Sequence, residues 1–192
     1  MTDSVDSLDI RRVGYEHRDV VALTGEVQAY YREIYGGPDS APVADDEFTP
    51  PLGAFFVAYE AGIATAMGGW RFCRTRMHIA AHEPVEIKRM YVVQAARGRG
   101  VARRLLRHLE ETANASGADA MVLETGQRQP AAIRLYRSSG YTDIPRFGHY
   151  AHEPEAVHLG KSLNGSQLTL LSDRSDRLPD SQSSSGRPAR QS

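Results

Sequence analysis

The stretch Arg97-Gly98-Arg99-Gly100-Val101-Ala102-Arg103 decides the fold, because of what stands on either side of it. The apolar run over residues 85–93 predicts a strand, and an amphipathic pattern beginning near Gly100 predicts a helix. Glycines allow a tight turn and let a ligand approach the backbone, while the first turn of a helix offers free N–H groups and a positive dipole end. Three arginines add charged donors. The stretch therefore predicts a phosphate site at a helix N-terminus; the alternative is a basic turn that only caps the helix.

Two common phosphate-binding patterns do not fit this turn. The pattern G-x-x-x-x-G-K-[ST] needs a Lys-Ser or Lys-Thr pair after the glycines, and the one Lys-Ser pair, Lys161-Ser162, lies far along the chain. The dinucleotide pattern G-x-G-x-x-G needs a third glycine where this chain has Arg103. The turn instead favours a pyrophosphate-bearing cofactor of another kind.

An ordered set of motifs resembles the GNAT superfamily of acyl-CoA-dependent N-acyltransferases. The pattern Arg97-x-x-Gly100-x-Ala102 is similar to that superfamily's pyrophosphate-binding signature, and Leu135-Tyr136 with Gly140-Tyr141 is similar to its closing motif. The resemblance covers about residues 8–163. The motifs that carry it are Glu86-Ile87-Lys88-Arg89-Met90-Tyr91-Val92-Val93, Arg97-x-x-Gly100-x-Ala102, Leu123-Glu124-Thr125, Ala132-Ile133-Arg134-Leu135-Tyr136 and Ser139-Gly140-Tyr141.

The resemblance implies an α/β (α+β) fold with a central mixed, largely antiparallel and splayed sheet of about six to seven strands, flanked by about four helices. We expect a loose leader over residues 1–6, an N-acetyltransferase domain over 7–163 and a disordered Ser/Arg/Pro-rich tail over 164–192. Periodicity and turn residues predict the elements directly. Strands are predicted near residues 8–13, 54–59, 63–71, 85–93, 120–125, 141 and 157, and helices over 17–35, from about 100 to Gly117, and over 130–139.

The resemblance also implies how acetyl-CoA, as co-substrate, would be held. Its pantetheine arm would pair with the backbone of the strand that contains Met90, Tyr91 and Val92. Its pyrophosphate would lie on the N–H groups of the glycine turn, namely Gly98, Arg99, Gly100, Val101, Ala102 and Arg103. The side chains of Arg97, Arg99 and Arg103 are candidate phosphate contacts, or else solvated charge. Gln129 stands where many relatives have a cofactor-binding Asn.

Acyl transfer to an amine requires proton transfers that side chains can supply. At pH 7 only about one alkylamine in 2,500 is unprotonated, so a positioned base accelerates the reaction. The resemblance implies Tyr136 as the general acid for the leaving thiolate, and its alternative role is a core tyrosine. Glu86 and Glu124 are both candidate bases, directly or through water. Either could instead be a carboxylate paired with Lys88, Arg89 or Arg134.

Composition excludes several other classes. A net charge of −1 argues against a nucleic-acid binder, and the single cysteine, Cys73, argues against disulfides and a Cys-rich metal site. His78 and His82 bracket a predicted loop without a metalloprotease pattern, so we expect no metal. The acidic first residues do not resemble a signal peptide, and the apolar window over 53–70 contains Glu60. We expect a soluble, cytoplasmic protein without a membrane partner.

Two functions remain from the sequence. The favoured one is acetyl transfer from acetyl-CoA to a primary amine of a small molecule or peptide, by direct attack in a ternary complex. The amine would enter between residues 30–38 and 147–150, and residues 45–47 would supply acidic groups that suit a cation. The alternative is a non-catalytic acyl-CoA-binding module that senses or regulates. The resemblance also allows a homodimer through the late strands.

Overall fold

The computed structural model describes residues 8–44, 46–74 and 77–171, and it shows a mixed α/β architecture. The predicted leader, Asp45 and residues 172–192 of the predicted tail lie outside the described residues. The elements in chain order are β1 (Asp9–Val13), α1 (Arg18–Tyr35), β2 (Gly53–Glu60), β3 (Ile63–Phe72), β4 (Pro84–Val92), a short 3-10 turn (Gln94–Ala96), α2 (Val101–Ala115), β5 (Ala120–Gly126), α3 (Pro130–Ser138), β6 (Thr142–Asp143) and β7 (Ala156–Ser162).

One seven-stranded sheet organises the described residues, in the order β1-β2-β3-β4-β5-β7-β6. Every neighbouring pair is antiparallel except β4 and β5, which run parallel. The predicted class and the largely antiparallel sheet are confirmed. The described part of the chain holds three α-helices and the 3-10 turn, where about four helices were expected.

Helices cover the two faces of the sheet. Helix α2 buries one apolar stripe, as its periodicity predicted, while its opposite face is charged. Helix α1 buries Val20, Leu23 and Val27 against the other face. Strand β2 lies between the two layers and is buried along most of its length. The α2 stripe consists of Val101, Leu105, Leu106, Leu109 and Ala113.

The sheet is irregular in β4, close to the gap described below. The β3–β4 register jumps from Met67–Tyr91 to Gly69–Lys88, which marks a β-bulge. Arg89, at this bulge, has a φ of 57°, a left-handed conformation that non-glycine residues seldom adopt. Such local strain is typical of functional sites. The bulge turns the middle of β4 out of regular pairing with β3.

The chain continues to make contacts beyond Leu163. Leu170 forms an isolated bridge with Ile79, and the amide of Ala80 donates to the carbonyl of Thr169 at 2.8 Å. Residues 168–171 thus lie against the loop before β4. None of the helices within the described ranges is long and apolar enough to cross a membrane.

Candidate active site

The candidate active site lies where β4 and β5 separate. The two parallel strands pair at Pro84–Ala120, Val85–Met121 and Glu86–Val122, and the register ends there. Beyond this point the strands diverge, and the gap opens into a cavity of about 390 Å³. Residues from β4, β5, α3, the C-terminal end of α1 and the segment before β7 line it. A splayed sheet was expected, and the structure shows how it arises.

Tyr136 reaches this cavity from α3. Its side chain is buried, and its hydroxyl donates to the sulfur of Met90 at 3.4 Å. The ring of Tyr141 packs edge-on against it, with centroids 5.5 Å apart. Burial raises the pKa of the Tyr136 phenol above its ordinary value, because the charged phenolate would be poorly solvated. The phenol is therefore protonated at neutral pH, which is the form that a general acid requires.

Glu124 enters the same cavity from β5. Its side chain is only 5% exposed, and its carboxylate lies 3.4 Å from the ammonium nitrogen of Lys88. The backbone N–H of Tyr150 donates to the other carboxylate oxygen at 3.4 Å. Burial raises the pKa of Glu124, while Lys88 opposes the rise. A carboxylate whose pKa is raised by burial is a stronger base than an exposed carboxylate.

Glu86 faces a second cavity of about 470 Å³, which adjoins the first at Ala41 and Lys88. Arg71 donates to its carboxylate through two nitrogens, at 2.9 and 3.1 Å, and Lys88 lies 2.6 Å away. Two cations therefore hold Glu86, and among the residues lining the first cavity Glu86 is absent. The structure brings Glu124 and Tyr136 into one cavity and places Glu86 beside it.

The glycine turn has the conformation that a phosphate site requires. Gly98 and Gly100 have φ values of 77° and 81°, and Gly100 is the N-cap of α2. At both glycines the space where a side chain would begin is open, with no described atom within 4 Å apart from those of the glycine and its two chain neighbours. The start of α2 therefore leaves room for a ligand to approach its backbone N–H groups, and the binding of a phosphate there stays a prediction.

The three arginines of the turn each have a partner within the protein. Arg97 donates to the carbonyl of Val92 at 3.1 Å and lies over the Tyr30 ring. Arg99 pairs with Glu60 at 2.6 Å, and Arg103 donates to the hydroxyl of Ser138 at 2.8 Å. The guanidinium groups of the turn are therefore already engaged with neighbouring groups of the protein.

The other predicted cofactor positions lie at or near the gap. Met90 lines the cavity, and Tyr91 and Val92 follow it on the diverging part of β4. Gln129 is the N-cap residue of α3, and its amide donates to the Tyr35 hydroxyl at 3.2 Å. The pairing of these positions with a cofactor stays a prediction.

Some of the residues expected to form the route for the amine line the first cavity, and others lie elsewhere. Residues 31, 35, 37 and 38 line the first cavity together with Tyr150, but Tyr30 packs on Arg97 instead. Phe147 lines the second cavity. Glu47 pairs with Arg71, so its carboxylate is not a free acidic group for a cation.

Sequence reasoning missed Asp39, which holds the loop after α1 over the cavity through contacts with Arg89 and Tyr150. Asp39 pairs with Arg89 of β4, and the Tyr150 hydroxyl donates to Asp39 at 2.5 Å. Because side chains alternate between the two faces of a strand, the sequence could have predicted that Glu86 and Lys88 share one face of β4. No local signal could pair Asp39 with partners 50 and 111 residues away.

A buried histidine, His158, lies beside Glu124, and sequence reasoning did not single it out. His158 of β7 lies directly opposite Glu124 in the register, and its ring nitrogen is 3.9 Å from the carboxylate. Burial lowers the pKa of His158, so the ring is neutral at neutral pH. Among the described residues, no group of three or more His, Cys, Asp or Glu side chains is arranged to hold a metal ion.

Comparisons with known proteins agree with this geometry. The family model of the acetyltransferase (GNAT) family matches residues 21–141. An IAA acetyltransferase of Azospirillum brasilense is 32% identical over 144 residues, which is 75% of this chain and 90% of that protein.

Solved structures share the fold. An acyl-CoA N-acyltransferase structure from Klebsiella pneumoniae superposes with a TM-score of 0.67 at 24% identity, covering 82% of this chain and 99% of that one. A Salmonella typhimurium protein, solved with its cofactor acetyl-CoA, gives a TM-score of 0.54 at 20% identity, with coverage of 82% and 94%. The family match, the relative and the splayed sheet together show that this chain is an acyltransferase that belongs to the acetyltransferase (GNAT) family.

Proposed function

We propose that the protein is an N-acetyltransferase that moves the acetyl group of acetyl-CoA to a primary amine of a small molecule or peptide by direct attack in a ternary complex. The observation that carries this proposal is the single cavity that both Tyr136 and Glu124 line, at the point where β4 and β5 separate. A proton donor and a proton acceptor on one cavity match the two proton transfers that the reaction requires.

Acetyl-CoA fits the gap and the glycine turn by their chemistry. The diverging edge of β4, from Ile87 to Val92, offers backbone groups for the amides of the pantetheine arm. The N-terminus of α2 and the open space at Gly98 and Gly100 suit the pyrophosphate. The thioester would then lie near Met90 and Tyr136, whose side chains are in contact.

The residues support each step of the transfer. Glu124 takes a proton from the attacking ammonium group, directly or through water, and leaves a nucleophilic amine. The amine nitrogen bonds to the thioester carbonyl carbon, and backbone donors stabilise the oxyanion that forms. As the carbon–sulfur bond breaks, Tyr136 gives its proton to the leaving thiolate. The nitrogen loses its second proton to the tyrosinate as the amide forms, and the proton held by Glu124 passes to solvent. The products are the N-acetyl amine and free CoA.

The amine would reach this centre between the C-terminal end of α1 and the segment before β7. The walls there carry Tyr31, Tyr35 and Tyr150, and the exposed Glu153 also lines the cavity, while the carboxylate of Glu155 is paired with Arg128 at 3.1 Å. Aromatic faces and carboxylates both favour an ammonium group. This lining supports a cationic amine as the acceptor.

The test is a panel of amines that includes polyamines, amino acids, aminoglycosides and peptide N-termini, incubated with acetyl-CoA and the protein. We expect free CoA and an acetylated amine, identified by its mass, to form together. The proposal is wrong if every amine on the panel returns unmodified while acetyl-CoA binds in the same samples.

Changing Gly100 to Ala tests the donor site. A residue other than glycine at a φ of 81° is strained by about 1–2 kcal/mol, and its methyl group would stand where the phosphate approaches. We expect the Kd for acetyl-CoA to rise at least about tenfold, since a hydrogen bond to a charged group is worth about 1.5–3 kcal/mol. Calorimetric titration measures the Kd.

Gly117→Ala is the matched control, because Gly117 follows the other end of α2 with a φ of 96° and open space around it. Both variants should lose similar thermal stability, and only Gly100→Ala should lose affinity. Equal acetyl-CoA affinities in the two variants would contradict the assignment of the turn.

A further inference from the structure

Ionisable side chains form a row across neighbouring strands, on the face of the sheet that α1 covers. Arg71 of β3 stands opposite Glu86 of β4 in the register. Lys88 follows two residues along β4, on the same face, and meets Glu124 of β5. We call Arg71, Glu86, Lys88 and Glu124 the charged row. Positive and negative groups alternate along it.

Lys88 is the central link of the charged row. Its ammonium nitrogen lies 2.6 Å from one Glu86 oxygen and 3.4 Å from one Glu124 oxygen. The three side chains are 11%, 9% and 5% exposed, respectively. Lys88 also lines both cavities, so it stands between the candidate base and the second cavity.

The two glutamates differ in how they are neutralised. Glu86 has two cationic partners, Arg71 and Lys88. Glu124 has Lys88 as its cationic partner among the described residues, because burial keeps the neighbouring His158 neutral. Glu86 itself acts on Glu124 as a second negative charge. Among the charged groups described, one ammonium group therefore favours the ionised state of Glu124, together with the backbone N–H of Tyr150.

The other groups packed around Glu124 do not replace this ammonium group. Within the described residues, none of them is a cation that contacts the carboxylate: Tyr150 donates an amide N–H, and Arg89 is paired with Asp39. The titratable groups that share its surroundings are Glu86, Lys88, His158, Tyr150, Tyr136, Asp39, Arg89, Tyr31, Tyr35, Glu153 and Glu155.

We propose that Lys88 is a positioning residue for catalysis, which keeps Glu124 ionised and oriented as the base and couples it to Glu86. This inference rests on the proposed function, because it assigns Glu124 to the proton transfer from the amine. An opposite charge within about 4–6 Å favours the ionised carboxylate, and the effect is large where water is excluded. Without Lys88, two buried carboxylates would face each other, and Glu124 would hold a proton to higher pH.

The experiment compares pH profiles of kcat/KM for the full chain carrying Lys88→Met, Lys88→Gln or Lys88→Arg. We expect the two neutral variants to lose at least about tenfold in kcat/KM at neutral pH. The acid limb of their profiles should move to higher pH, since protonated Glu124 is inactive and its pKa rises when the cation is removed. Lys88→Arg restores a positive charge and should recover most of the loss.

Lys161→Met is the matched control, because Lys161 is the chain's other lysine and forms an ion pair with Glu110 at 2.7 Å, away from the cavity. It should keep the wild-type pH profile. Thermal unfolding and the Kd for acetyl-CoA identify any variant whose loss of kcat/KM is only structural. Lys88→Gln replaces Lys88→Met if Lys88→Met does not fold.

The outcomes separate this inference from the proposed function. Wild-type protein without amine acetylation would overturn both. An active wild type, with Lys88→Gln keeping the wild-type profile, or with Lys88→Arg no better than Lys88→Gln, would overturn the role of Lys88 alone.

Discussion

Tyr136→Phe should lower kcat about 100-fold and leave the Kd for acetyl-CoA within about twofold of the wild-type value. The change removes one hydroxyl from a buried ring that packs on Tyr141 and contacts Met90. Without that hydroxyl, the thiolate of CoA must leave unprotonated or take its proton from water. Steady-state rates of thiol release give kcat, and a separate titration gives the Kd for acetyl-CoA. Together they distinguish the loss of the general acid from the loss of acetyl-CoA binding.

Tyr141→Phe provides the control, because Tyr141 is also buried and its ring touches the Tyr136 ring. Both changes remove one phenol from the same aromatic pair. We expect Tyr141→Phe to keep kcat within about twofold of the wild-type value, because Tyr141 does not line the cavity. Equal losses in the two variants would mean that Tyr136 is a core tyrosine.

Glu124→Gln should lower kcat/KM at neutral pH by about 100-fold or more. Burial raises the pKa of Glu124, so wild-type activity should increase with pH as this carboxylate loses its proton. Glutamine cannot accept a proton, and the acid limb that belongs to Glu124 should disappear from the profile. The remaining increase should follow the free amine, whose fraction grows about tenfold per pH unit below its pKa of about 10.4.

Glu86→Gln is the informative comparison. Glu86 is buried and paired with Arg71 and Lys88, but it faces the second cavity. We expect a smaller loss than in Glu124→Gln, with the acid limb kept. If Glu86→Gln removes the acid limb of the pH profile and Glu124→Gln does not, Glu86 is the base and Glu124 is not. If both variants keep full activity and the wild-type profile, neither is the base.

Local patterns were enough to predict the strand, the glycine turn and the helix that follows it. The α2 stripe and the tight turn at Gly98 and Gly100 depend on neighbours within a few residues, so the sequence predicts them directly. The same holds for β4 and β5, whose apolar runs place Glu86 and Glu124 in strands. The family resemblance carried by the sequence motifs singles out those two glutamates and Tyr136 as candidates for proton transfer.

Long-range pairing is what the sequence could not provide. Which glutamate shares a cavity with Tyr136 depends on where the β4–β5 register ends, and no residue within either strand marks that position. The positions of Arg71 and His158 depend on strand pairs that are distant in sequence. The arginines of the glycine turn were named as candidate phosphate contacts because of their charge. Their partners Glu60 and Ser138 lie on other elements and could not be predicted from the turn.

Direct attack in a ternary complex is the central claim, and thiol release before and after amine addition tests it most directly. The protein is first incubated with stoichiometric acetyl-CoA, and free thiol and protein mass are followed; an amine identified from the panel is then added. We predict no thiol and no acetylated protein before the amine, then release of about one CoA per acetylated amine. A burst of thiol with acetylated protein before the amine is added would contradict direct attack.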